Sequence, residues 1–223
     1  GHKNSTPEEL RVFMDGFKER LRKGLTGISK ISVQTGTSHG GVVLPDGSIA
    51  QVALDFDTLK TLSEIARKEY GLAGAVQHGA STLPSAAFHK FAQCETAEVH
   101  LATEFQNMMY DSKHFPPELK EKIYQWLKIN AASEKKDGET DEQFFYKTRK
   151  KALGPFKREI MGLPDSLRDA IALELEAKFD FLFKQLNVIN KKELVDKYIG
   201  LKRVISRKRK EVAAIVHDGE GAD

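Results

Sequence analysis

The sequence predicts an α/β fold whose strands lie parallel, followed by an all-helical region. Three observations carry this. Helical and strand patterns alternate from the N-terminus to about residue 110, and such alternation implies a parallel sheet covered by helices. Three consecutive strand patterns end in histidine, glycine or small hydroxyl residues. Beyond residue 110 only helical periodicity remains. The resulting division is 1–111 for the strand-and-helix units and 112–223 for the helical extension.

The first element is a helix. In "NSTPEELRVFMDGFKERLRKG" Thr6 suits an N-cap, Pro7 the first helical position and Glu9 a capping box. Leu10, Phe13, Met14 and Phe17 follow at helical spacing and are predicted to face inward. "ISKISVQTGTSHGG" is rich in β-branched residues and predicts the first strand, ending at Gly36 to His39. "LPDGS" is turn chemistry. "DFDTLKTLSEIARKEYG" predicts a helix with Leu59, Leu62, Ile65 and Ala66 inward, closed by Gly71. "LAGAVQHGA" predicts the second strand, "LPSAAFHKFAQC" a short helix and "TAEVHLATEF" the third strand.

The extension holds "PPELKEKIYQWLKINAA", with Leu119, Ile123, Trp126 and Leu127 in register, and "TDEQFFYKTRKKALGPFKREIMG", capped by Thr140. In "LPDSLRDAIALELEAKFDFLFKQLN" the residues Leu167, Ile171, Leu175, Phe179 and Leu182 share a face. Phe144, Phe145, Phe156, Phe179, Phe181 and Phe183 are expected in the core, the alternative being a subunit interface. "KRVISRKRK" is expected to be the solvated face of a last helix rather than a nucleic-acid or membrane contact.

Composition narrows the function classes. A chain of 223 residues with 40% hydrophobic and 30% charged residues is ordinary for a folded protein. A net charge of +3 is too mild for a nucleic-acid surface. The single cysteine, Cys94, rules out a disulfide framework within the chain and suggests a reducing, cytoplasmic compartment. No run approaches the length of a membrane span, about 18 apolar residues. Neither nucleic acid nor membrane is therefore expected as a partner. The opening Gly-His-Lys-Asn lacks an initiator methionine, so a tagged, processed or shortened chain is expected.

Parallel sheets gather functional groups at the carboxyl ends of their strands. There the sequence offers Thr37-Ser38-His39-Gly40, His78-Gly79-Ala80-Ser81 and His100 to Glu104. Two histidines at neighbouring strand ends could ligate a divalent metal, or could be hydrogen-bonded core residues. The glycines could let backbone amides close on an anion, or could serve an ordinary strand-to-helix turn. Thr103 would add a further donor.

In this order and spacing "VQTGTSHGG", "VQHGASTLP" and "VHLATEFQ" resemble the last three strands of class II, metal-dependent ketose-bisphosphate aldolases, the family of the fructose- and tagatose-bisphosphate enzymes. The resemblance covers about residues 5–110. It implies the C-terminal portion of a (β/α)8 TIM barrel, strands six to eight, acting in glycolysis or related carbohydrate metabolism. By resemblance, His39 and His78 are metal ligands for Zn2+ or another divalent ion, and Gly40 contacts substrate phosphate. Gly79, Ala80 and Ser81 match the phosphate loop, and Ala102 and Thr103 match the strand-eight segment. The implied reaction is reversible aldol cleavage of a ketose 1,6-bisphosphate to dihydroxyacetone phosphate and glyceraldehyde 3-phosphate by Lewis-acid catalysis, without a Schiff base.

Some positions depart from the family pattern. His100 stands where the family has asparagine, so it could contact substrate, approach the metal or pack inward. Thr82 stands where many members have glycine. The family's first metal histidine and its acid/base aspartate belong to the first half of the barrel, for which residues 1–30 leave no room. The expected partners are a phosphorylated sugar and either further copies of the chain or a polypeptide complementing its N-terminal half. The alternative function is a non-catalytic aldolase-like subunit.

Overall fold

The computed structural model describes residues 3–37, 44, 50 and 54–199. The first helix, α1 (Pro7–Arg20), begins with the predicted capping box: Thr6 Oγ1 accepts from the Glu9 amide while the Glu9 carboxylate accepts from the Thr6 amide. Two orphan amides are thereby satisfied. Leu10 and Met14 are buried, and Phe17 packs beside them against Leu62 and Ile65. Phe13 departs from expectation. It is 54% exposed, stacked on Phe17 and bordering a groove formed with Ile31 and Val33. Four apolar residues at helical spacing make a stripe wider than the surface α1 buries.

The strands are β1 (Ile31–Ser32), β2 (Ala75–Gln77) and β3 (Glu98–Val99), forming a parallel sheet in the order β1-β2-β3. Ile31 pairs with Ala75, and Val76 with Glu98. The chain is thus an α/β protein with mostly helical content, as the alternation implies. All three strands are shorter than predicted. The third ends furthest from expectation, because Thr103, Glu104 and Phe105 are already helical, in α4 (Thr103–Asp111). Phe105 there stacks on Phe179 at 4.6 Å and packs against the sheet-side core, a burial that an extended continuation would forgo.

Helix α2 (Phe56–Lys68) carries Leu59, Leu62, Ile65 and Ala66 inward as predicted. Ser63 is buried beside them, donating to the Glu95 carbonyl at 2.8 Å and accepting from the Ala75 amide at 3.1 Å. It ties α2 to the start of β2. Gly74, at φ 136°, is required here: a Cβ would lie 2.7 Å from Ser63 Oγ and 3.1 Å from the Glu95 carbonyl oxygen. After β2 come the short 3-10 turns Ala80–Thr82 and Ser85–Ala87, then α3 (His89–Gln93). Phe88 and Phe91 join Leu59, Ala75 and Leu182 in one core cluster.

A second cluster centres on α5 (Pro117–Asn130) and α6 (Asp141–Thr148), with Ile123, Leu127, Phe144, Phe156 and Ile171 at its heart. Thr140 caps α6 as predicted, in a capping box with Gln143. The helical pattern after it is broken into α6, a 3-10 turn over Arg149–Leu153 and α7 (Lys157–Met161), with Gly154-Pro155 between the last two. Arg149 is buried and bidentate to Asp111, both bonds at 2.8 Å, and also reaches Asn107. The long helix α8 (Asp165–Gln185) presents Ile171 to the helical cluster and Leu182 to the sheet-side one. Lys178 pairs with Glu104 at 2.6 Å, joining α8 to α4. Of the aromatics expected in the core, Phe144 and Phe156 are buried and Phe145 and Phe181 partly so; Phe179 and Phe183 are exposed.

The described residues up to Val188 form one compact unit and those from Ile189 a second. The described part of the second holds α9 (Lys192–Tyr198), whose residues are exposed. The basic run at 202–210 and the turn "LPDGS", apart from Leu44, lie outside the described residues.

Candidate active site at the carboxyl edge of the sheet

At the carboxyl ends of β2 and β3 lies an open cavity of about 410 Å3, lined by His78, Gly79, Ser81, Glu98, Val99, His100, Leu101, Ala102 and Thr103. Its size suits a small-molecule site. The parallel register produces it. Gln77 lies opposite Val99, so the residues following each strand emerge side by side. The His100 amide donates to the Gln77 carbonyl at 2.9 Å, and the His78 and His100 rings come to rest 4.2 Å apart.

Gly79 has φ 71°, the left-handed region that glycine enters without penalty. The chain therefore turns directly from His78 into the Ala80–Thr82 turn and brings Ser81 to the cavity wall. Ala80 behaves differently, since its side chain is buried in the sheet-side core. Only its backbone remains for a ligand. Among the described residues the Thr82 hydroxyl, which is buried, has no hydrogen-bond partner. Ala102 and Thr103 also line the cavity, where α4 begins with no side-chain cap among the described residues. The first amides of a helix have no acceptor within it and favour an anion.

Of the sequence-predicted residues, the cavity thus collects His78, Gly79, Ser81, His100, Ala102 and Thr103. His39 and Gly40 lie outside the described residues. Among the described residues, no group of three or more His, Cys, Asp or Glu side chains could hold a metal ion. His78 and His100 are imidazoles from adjacent strand ends, the donor type divalent transition metals take, and so fit such an ion in kind.

Two features escape the sequence reading. Glu98 lines the cavity and its carboxylate meets both His100 Nε2 and Lys30 Nζ. The signal was available, because residues two apart share a strand face. Gln77 is fully buried in an otherwise apolar strand, its amide bonded to Thr35, Thr37 and the His78 carbonyl. The described residues include no helix long and apolar enough to cross a membrane.

No curated protein matches the chain. The model of the family described as fructose-bisphosphate aldolase class-II matches residues 5–158, from the helix preceding the sheet to the start of α7. A match over so much of the sequence, with a parallel sheet whose carboxyl edge opens on a cavity, places the chain in the class II fructose-bisphosphate aldolase family.

Proposed function

We propose that the chain supplies part of the active site of an aldolase-type lyase that reversibly cleaves a ketose 1,6-bisphosphate, of the fructose or tagatose series, to dihydroxyacetone phosphate and glyceraldehyde 3-phosphate. The observation that supports this most is the single cavity gathering His78, Gly79, Ser81, His100 and Thr103 from two neighbouring strand ends. His78, together with His39, would hold a divalent ion, zinc being the expected one. Such an ion, when bound, supplies a Lewis acid for the substrate carbonyl.

The remaining roles belong to the chain's own groups. The turn at Gly79 leaves the amides of Ala80 and Ser81, and the Ser81 hydroxyl, to receive a phosphate; Gly40, Ala102 and Thr103 add to the same clamp. Holding the phosphate at two strand ends fixes the three-carbon unit in one orientation. His100, anchored by Glu98, stands beside His78 and would contact a substrate hydroxyl or phosphate. Proton transfer is assigned to no residue of 1–223. The proposed partners are a phosphorylated sugar and either further copies of the chain or a complementing polypeptide, in the cytoplasm.

The test is zinc content and cleavage of fructose and tagatose 1,6-bisphosphates by the intact gene product, with and without chelator, and after His78→Ala. Bound zinc with chelator-sensitive cleavage, lost by at least 100-fold in His78→Ala, is expected. Cleavage indifferent to both would overturn the reading. Zinc binding without cleavage of either sugar would point to a non-catalytic subunit.

A further inference from the structure

The β1–β2 ladder stops one rung short, and side chains take over the groups that rung would have joined. The amide of Ile31 donates to the Gly74 carbonyl and that of Val33 to the Val76 carbonyl. The next rung would run from the Thr35 amide to the His78 carbonyl. Instead the Gln34 side-chain oxygen accepts the Thr35, Gly36 and Thr37 amides at 2.9, 3.1 and 3.1 Å. The freed His78 carbonyl accepts the Gln77 amide at 2.5 Å and the Thr37 hydroxyl at 2.9 Å.

The Gln77 side chain is held in turn. Its Oε1 accepts from Thr35 Oγ1 at 2.7 Å, and its Nε2 also donates to Thr37 Oγ1 at 3.0 Å. Thr35, Thr37 and Gln77 are all buried. A buried amide is costly unless satisfied, and an apolar side chain would pack in this strand without that requirement. What the amide adds is a fixed position for the His78 carbonyl, decoupled from the backbone ladder.

We propose that Gln77 and Thr37 are positioning residues for His78. They end β2 at one point, so that the imidazole stands over the cavity beside His100 rather than continuing the strand. The functional consequence rests on His78 being a metal ligand, as argued above; the positioning itself does not. Hydrogen-bonded partners behind a ligand typically govern metal affinity by 10–100-fold.

The test uses the 223-residue chain carrying 15N-labelled histidine, with Thr37→Val, Thr37→Ser and Gln77→Met, and the His78 signal assigned by its loss in His78→Ala. Thermal melts establish that each variant is folded. Thr37→Val and Gln77→Met are expected to shift and broaden the His78 imidazole resonances while leaving those of His89 and His114 in place. Thr37→Ser, which keeps the hydroxyl, is expected to restore the native signal. In a zinc titration the midpoint at His78 should rise by about 10–100-fold in the first two variants and not in Thr37→Ser. An unchanged His78 resonance in folded Thr37→Val overturns the proposal, and this variant decides the matter should Gln77→Met not fold. Failure of zinc to perturb His78 in the unaltered chain would instead count against the metal reading, leaving the positioning result to stand or fall on the resonances.

Discussion

Asp55 shows how much one side chain at a helix start can carry. Its carboxylate accepts the Thr58 amide at 2.9 Å and the Thr58 hydroxyl at 2.7 Å, and Asn4 donates to it at 2.8 Å. The Thr58 bonds hold its pKa below the ordinary carboxylate value. Asp55→Ala is expected to destabilise the fold by about 1 kcal/mol, the usual worth of an N-cap. Because the folded-state pKa is depressed, the stabilisation is complete above the unfolded pKa and is lost as pH falls through the folded value. Urea midpoints of the two proteins should therefore converge in acid, below about pH 4, and stay apart at neutral pH. A gap independent of pH would remove the charge from the account. At this same scale the site was partly legible. His78, Gly79 and Ser81 announce themselves as a histidine followed by small residues after an apolar run. Gln77 does not, because its role depends on Thr37, which is distant in sequence; Glu98 is legible only through its two-residue spacing to His100, its contact with Lys30 being equally distant.

At the scale of elements, two glycines test how tightly the strand between them is held. Gly79 takes the left-handed conformation that turns the chain after His78. Gly79→Ala is expected to cost about 1–2 kcal/mol from backbone strain. Gly74 combines a φ of 136° with close approach of Ser63 and of the Glu95 backbone. Gly74→Ala should therefore lose more stability than Gly79→Ala, while Gly79→Ala should weaken binding of inorganic phosphate or substrate more. The reverse order in either measurement would contradict the account. Caps and amphipathic faces were legible at this scale: Thr6, Thr140 and the inward face of α2 lie where local chemistry puts them. Strand lengths were not. A β-branched run shows that a segment can extend, but its usable length depends on the neighbouring strand, and here the ladder gives way to Gln34 and Gln77 side chains.

At the scale of the molecule, α8 decides whether the helical region is an appendage. Leu182 is buried with Leu59, Ala75, Phe88 and Phe91, residues of the sheet side, whereas Ile171 on the same helix belongs to the other cluster. One helix thus closes both. Leu182→Ala should destabilise the whole unit by about 2–4 kcal/mol, as core truncations do, and do so in a single cooperative transition seen by both near- and far-UV dichroism. Loss of the α8 signal ahead of the rest would show that the sheet side stands without it. The family match ends at residue 158, before α8 begins.

The sequence by itself determined the alternation of helix and strand, the capped helix starts, the inward face of α2 and the family to which the strand endings belong. These are local properties, set by periodicities and capping bonds that span three or four residues. The tertiary structure decided where each strand stops, that Phe105 leaves extended backbone for a helix, and that Ala80 faces the core while Ser81 faces the cavity. It also decided that α8 binds two cores into one unit. Those outcomes turn on pairings between segments tens of residues apart, and no local pattern contains the partner that makes the difference.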